Sequence, residues 1–136
     1  MLRKLEQGDI ELLYELEQKN FPTSYYSKTQ LLEMLLEEAY SIYGIEEENT
    51  LLGYAIFLNS IDCQEIIKIA VNKEHRRRGL ATKLLEAEKR RPILLEVRES
   101  NLEAQEFYKR HGFEEIYVRK QYYRDNGENA IILEKK

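Results

Sequence analysis

The chain has 136 residues, 43% hydrophobic and 34% charged, with a formal net charge of −4. That is enough for one globular domain whose core needs no disulfide or metal staple. One cysteine, Cys63, excludes an internal disulfide and a cysteine-based zinc site, and two histidines argue against a His-rich metal centre.

No apolar run approaches the roughly 20 residues that span a bilayer. The opening Met-Leu-Arg-Lys-Leu-Glu-Gln-Gly-Asp lacks the apolar segment of a secretory leader, so a cytoplasmic protein is expected. The charge is uneven. Residues 1–66 hold four Lys/Arg against thirteen Asp/Glu, and residues 67–136 hold seventeen against twelve. One half suits a cationic ligand and the other an anionic one, unless the acids only line solvated helix faces.

In chain order, residues 2–5 read as a short extended segment. Gly8-Asp9 opens a helix with Ile10, Leu13, Tyr14 and Leu16 at helical spacing, and Asn20-Phe21-Pro22 ends it. Ser27 caps a second helix running to Ala39, with Leu31, Leu32, Leu35 and Leu36 as its apolar face. Residues 40–46 alternate as a strand, Glu47-Glu48-Asn49 turn, and Leu51 to Leu58 return as a strand interrupted at Gly53. Residues 64–71 form a further strand. The spacing predicts a helix from Gly79 to Arg90 and a strand from Ile93 to Val97. Ser100 and Glu103 fit a capping box for a helix ending at His111-Gly112. Phe113 to Val118 and Asn129 to Leu133 read as two last strands joined around Asp125-Asn126-Gly127. The pattern is mixed α/β.

Four constellations carry chemistry. In Val71–Thr82 a strand runs through His75-Arg76-Arg77-Arg78-Gly79 into a helix. A helix start with unpaired N–H groups, a permissive glycine and nearby arginines suits a pyrophosphate, although a basic loop or a weak nucleic-acid patch has the same composition. Glu96 interrupts the apolar strand Ile93–Val97 and is costly to bury unpaired. It either pairs with Arg98, two residues on along the same face, or faces a substrate as general base. Asn101 and Tyr108 lie two helical turns apart on one side of a helix, with Tyr108 either a core aromatic or a phenol near the strand end. Finally, Tyr122-Tyr123 read as opposite faces of a strand, and Tyr25-Tyr26 follow Phe21-Pro22. Such aromatic pairs frame a peptide groove or simply pack.

Arg76-Arg77-Arg78-Gly79-Leu80-Ala81 resembles the Arg/Gln-x-x-Gly-x-Gly/Ala signature of the GCN5-related N-acetyltransferases (GNAT). The blocks Leu95–Asn101, Ala104, Phe107-Tyr108, Gly112-Phe113, Arg119-Lys120 and Tyr122-Tyr123, with Phe21-Pro22 and Gly53–Phe57, resemble its RimI-type branch. That branch acetylates the N-terminal alanine of ribosomal protein S18. The likeness covers nearly the whole chain. It implies one domain over residues 1–136, an α/β fold with a mixed, mostly antiparallel sheet of six to seven strands, and about four flanking helices.

The same resemblance implies acetyl-CoA as co-substrate and no metal. Backbone groups of Ile69, Ala70 and Val71 would pair with the pantetheine arm. Arg76, Arg77, Arg78, Gly79, Leu80, Ala81 and Thr82 would hold the pyrophosphate, and Asn101 would contact the cofactor. Glu96 would be the base and Tyr108 the acid. Phe21, Tyr25, Tyr26, Tyr122 and Tyr123 would meet a protein N-terminus, S18 being the expected target. No nucleic acid or membrane is expected, and the working unit is a monomer or weak homodimer. Two alternatives share the motif: acetylation of a lysine side chain or small amine, and a non-catalytic acyl-CoA-binding module. Three departures stand out: Ala81 in place of a glycine, a shortened helix before Pro92, and Glu128-Asn129-Ala130 where the branch has Glu-Asp-Ala.

The chemistry fits the residue types. An α-amino group with a pKa of about 8 is substantially protonated at neutral pH and needs a base. A phenol near 10 is nearly matched to a leaving thiolate near about 8.5.

Overall fold

The computed structural model describes residues 1–88 and 92–136. It has seven strands: β1 (Leu2–Lys4), β2 (Tyr40–Glu47), β3 (Thr50–Asn59), β4 (Gln64–Val71), β5 (Ile93–Arg98), β6 (Glu114–Arg119) and β7 (Ala130–Lys135). The four α-helices are α1 (Ile10–Asn20), α2 (Lys28–Leu36), α3 (Leu80–Leu85) and α4 (Leu102–Arg110). The strands hydrogen-bond in the order β1-β2-β3-β4-β5-β7-β6. No helix among the described residues is long and apolar enough to cross a membrane.

Two compact units are present, Met1–Asn59 with Ile67–Lys89, and Ser60–Ile66 with Arg90–Lys136. In the first, β1 runs antiparallel to β2 and β2 antiparallel to β3. Glu48 and Asn49 both have positive φ, the conformation that a two-residue hairpin loop needs, so the expected turn forms there. Helices α1 and α2 bury Leu13, Leu16 and Leu31 against Leu5, Ile42, Leu51, Tyr54 and Ile56. Burying side chains of this size stabilises by about 1.5–3 kcal/mol each. The buried residues of α3 are Leu80, Leu84 and Leu85.

In the second unit, Gln64–Ile66 of β4 pair in parallel with Ile93–Leu95 of β5. β5 and β6 each run antiparallel to β7. Ile66, Ile93, Leu95, Val97, Phe113 and Ala130 to Leu133 are its buried apolar residues. The in-out alternation along β5 leaves Leu94, Glu96 and Arg98 half-buried on the other face.

Several local expectations need correction. Helix α2 stops at Leu36 rather than Ala39, because Glu37 turns extended and its carbonyl accepts from Tyr40 N–H at 3.2 Å. Leu36 is 62% exposed and is not part of the apolar face. Gly53 does not interrupt β3, which is continuous through it. Helix α3 ends at Leu85, where its apolar anchors stop, and the Arg90 end of the expected helix lies outside the described residues. The cap of α4 is Asn101, whose side chain accepts from Ala104 N–H at 3.1 Å, while Ser100 N–H is engaged by Glu128 at 2.6 Å. Tyr122-Tyr123 lie in the loop between β6 and β7, not on a strand, since Gln121 at φ 50° ends the extended run.

Candidate active site

In the first unit, Ile67–Val71 continue β4 beyond its pairing with β5, which stops at Ile66. The edge of these five residues away from β3 has no ladder partner among the described strands. An extended chain can add to such an edge through main-chain hydrogen bonds, so it fits a pantetheine arm along Ile69, Ala70 and Val71. Gly53 makes the β3 side tight: a Cβ there would lie 2.7 Å from the Ala70 carbonyl oxygen and 3.2 Å from Val71 Cα.

After β4 the chain makes a short turn at Lys73–His75 and enters the basic segment. Arg77 has φ 67° and Gly79 φ 76°, with Arg78 between them. Tight turns with left-handed residues can aim backbone N–H groups into a concavity that attracts anions. A Cβ built on Gly79 would meet nothing within 4 Å, so the approach there is open. The first turn of α3 follows directly at Leu80. A pyrophosphate therefore fits this turn.

The three arginines are used differently. Arg76 donates to the Val71 carbonyl at 3.1 Å and so ties the turn to the end of β4. Arg78 pairs with Glu47 at 2.7 Å. Arg77 is exposed and makes no ion pair among the described residues, which leaves its charge for a ligand. Leu80 is buried, so only its backbone is available, while Ala81 and Thr82 are half-buried.

The aromatic segment before α2 divides in two. Phe21 and Tyr26 both cover the ammonium of Lys68, at 4.0 and 4.3 Å from their ring centroids. Tyr25 is exposed and packs edge-on against Tyr14 with centroids 6.2 Å apart. Beneath them, Glu17 is fully buried and accepts from Lys68, Tyr26 N–H and the Tyr54 hydroxyl. The sequence reading missed this cluster. Its signals were a carboxylate at helical spacing from Leu13 and a lone lysine among the isoleucines of β4.

In the second unit, Glu96 does not pair with Arg98. Its cation is Arg119, with Nε 3.9 Å from Glu96 Oε1. Arg98 instead binds Asp125 at 3.0 Å and Glu128 at 3.3 Å, and stacks 3.9 Å over the Tyr123 ring. Tyr122 sits beside Glu96: that negative charge, and the hydrogen bond to it, push the Tyr122 phenol above its usual value. Tyr123 is also pushed up, by burial first and then by Glu96, against the opposing Arg98 charge.

A second carboxylate, Glu65, was also missed. It faces Leu94 in the β4–β5 register, which puts it on the same face as Glu96. Burial and the Glu96 charge raise its pKa, and Arg119 opposes them. Register across a parallel pair brought these two acids together, and no single strand's pattern reveals that.

Tyr108 is half-buried and packs edge-on against Phe107 and Phe113, with centroids 5.2 and 5.4 Å away. Its hydroxyl makes no hydrogen bond among the described residues. Burial pushes its pKa well above 10. Burial keeps the phenol protonated, the form that a general acid needs. Asn101 is exposed, with Oδ1 occupied by its capping bond.

The profile of the Acetyltransferase (GNAT) family matches residues 10–113. A putative [ribosomal protein bS18]-alanine N-acetyltransferase from Bacillus subtilis (strain 168) is 36% identical, over 97% of this chain and 92% of its own. The [ribosomal protein bS18]-alanine N-acetyltransferase of Escherichia coli (strain K12) is 31% identical, over 97% of this chain and 94% of its own. The crystal structure of the ribosomal-protein-S18-alanine N-acetyltransferase from Escherichia coli superposes with a TM-score of 0.88 at 28% identity, covering 99% of this chain and 92% of that one. By sequence profile, relatives and fold, this chain belongs to the GNAT acetyltransferase family.

Proposed function

We propose that the chain is an acetyl-CoA-dependent N-terminal protein acetyltransferase that modifies the α-amino group of a protein N-terminus, with the N-terminal alanine of ribosomal protein S18 as target. The observation that carries this reading is Glu96: a half-buried carboxylate on a strand, beside Arg119 and Tyr122, in a chain whose relatives bear that activity in their names. Residues 1–136 act as one catalytic domain.

Acetyl-CoA supplies the activated thioester. The chain's own residues do the rest. The free edge of Ile69–Val71 aligns the pantetheine arm, and Arg76–Thr82 hold the pyrophosphate, with Asn101 as a further cofactor contact. Glu96 takes the proton that an α-ammonium carries at neutral pH, directly or through one water. The freed amine forms the new C–N bond, the C–S bond breaks with its electron pair going to sulfur, and the amide nitrogen sheds its extra proton to solvent. Tyr108, as the acid, gives its proton to the departing thiolate and regains one from solvent. No enzyme-bound acyl group is required, so Cys63 has no part. Phe21, Tyr25, Tyr26, Tyr122 and Tyr123 receive the first residues of the peptide.

The test is CoA release from acetyl-CoA with three acceptors: a basic peptide beginning with free Ala-Arg, the same peptide N-terminally blocked with an added lysine, and a polyamine. Turnover confined to the first supports the proposal. Turnover with either of the others moves the function to lysine or small-amine acetylation. Tight acetyl-CoA binding with no turnover points to a non-catalytic module.

A further inference from the structure

The Lys68 ammonium has a complete shell of partners. It binds Glu17 Oε2 at 2.5 Å and the Ser24 carbonyl at 3.3 Å, and both the Phe21 and Tyr26 rings lie over it. Its side chain is 14% exposed. Glu17 is saturated in turn, accepting from Lys68, from Tyr26 N–H at 2.7 Å and from the Tyr54 hydroxyl. A charge pair this enclosed survives only when each donor and acceptor is matched.

Every partner of the pair outside β3 and β4 belongs to the segment between α1 and α2 or to the helix that leads into it. Phe21 and Tyr26 contribute ring faces, Ser24 its carbonyl and Tyr26 its N–H. The segment's other ties include Ser24 N–H to the Phe21 carbonyl at 3.1 Å, Tyr25 against Tyr14, and the packing of Phe21 and Tyr26 on the core cluster. One cation on β4 thus joins both rings, which also pack against the core cluster.

We propose that Lys68 is a positioning residue for peptide capture: its ammonium, anchored by Glu17, fills an aromatic cage and thereby fixes the loop Phe21–Tyr26 in its peptide-receiving form. The inference rests on the reading that this loop meets the substrate peptide. Lys68 itself touches neither peptide nor thioester. Its loss loosens the two rings and leaves a space that a small alkylammonium can fill, regathering Glu17 and both ring faces around a cation.

The experiment measures acetylated peptide directly, by mass, for wild type, Lys68→Ala, the charge-neutral pair Glu17→Gln with Lys68→Met, and Phe21→Ala. The neutral pair avoids a stranded buried charge and carries the test if Lys68→Ala does not fold. Both Lys68 variants are expected to raise peptide KM about tenfold with kcat within about twofold and acetyl-CoA affinity unchanged. Added n-butylammonium restores KM in Lys68→Ala but not in the neutral pair, and n-butanol restores neither. A folded Lys68 variant with wild-type peptide KM overturns the inference. If Phe21→Ala still raises KM in that case, the loop's role stands and only Lys68 is wrong. If Phe21→Ala also leaves KM unchanged, the loop is not the peptide site.

Discussion

Glu96 Oε1 lies 3.9 Å from Arg119 Nε. The arginine nearest in sequence, Arg98, is committed to Asp125 and Glu128. This separates a catalytic candidate from a structural clamp. Arg98 joins β5 to the β6–β7 loop, while Arg119 gives Glu96 a loose, partly solvated cation. Glu96→Gln should lower kcat by about 10²–10⁴-fold, the usual worth of a positioned base. Acetyl-CoA affinity should stay within about twofold, since the proposed cofactor contacts lie elsewhere. Steady-state kinetics with parallel calorimetry checks both. A wild-type kcat removes Glu96 from the mechanism.

The legible parts of the chain were those set by local rules. Apolar periodicity gave α1 and the strands, and β4 was read to the residue as Gln64–Val71. The turn at Glu48-Asn49 formed where expected, with Asn49 and Gly112 in the left-handed region they tolerate and Glu48 there against its preference. What stayed hidden depends on register and packing. Glu65 meets Glu96 only because β4 and β5 pair as Glu65↔Leu94. Arg119 displaces Arg98 as the partner of Glu96 through a strand far along the chain. Tyr122-Tyr123 fell off their expected strand because of one positive φ at Gln121. The Glu17–Lys68 pair was visible as two misplaced charges, but not as one contact.

Tyr108→Phe removes a hydroxyl without changing the ring packing on Phe107 and Phe113. Turnover should fall about tenfold to a hundredfold with thermal stability nearly unchanged. Because burial keeps the phenol protonated, the variant should show the same alkaline limb as wild type up to pH 10. A pH–rate profile tests this, and a limb that vanishes in the variant would show the phenol titrating.

Glu65 binds its proton more tightly in the folded chain than at its ordinary value of 4.5, through burial and the Glu96 charge. Its raised pKa therefore favours folding most below the ordinary value, and that gain is lost as pH rises through the folded value. Glu65→Gln should raise Tm at pH 8 by about 1–2 °C and have almost no effect near pH 4. Arg119→Met should move the Glu65 titration further upward, read by carboxyl carbon NMR. A downward movement would contradict the cluster.

Gly53→Ala and Gly79→Ala separate two kinds of glycine. At Gly53 the new Cβ meets backbone at 2.7 and 3.2 Å, so β3 and β4 must part, at a cost of about 1–3 kcal/mol. At Gly79 nothing is struck, but φ 76° strains an alanine by about 1 kcal/mol. The added methyl also narrows the open approach to the Arg77–Gly79 concavity, so coenzyme A affinity should fall about tenfold. Denaturant melts and calorimetric titration with coenzyme A distinguish the two.

The central claim is that the acetyl group goes to an α-amino group. Its most direct test is a single peptide carrying both a free N-terminal Ala-Arg and an internal lysine, incubated with the wild-type chain and acetyl-CoA, with the modified nitrogen located by tandem mass spectrometry. The account predicts acetyl on the N-terminal alanine and an unmodified lysine. Acetyl on the lysine, with the N-terminus free, would contradict it.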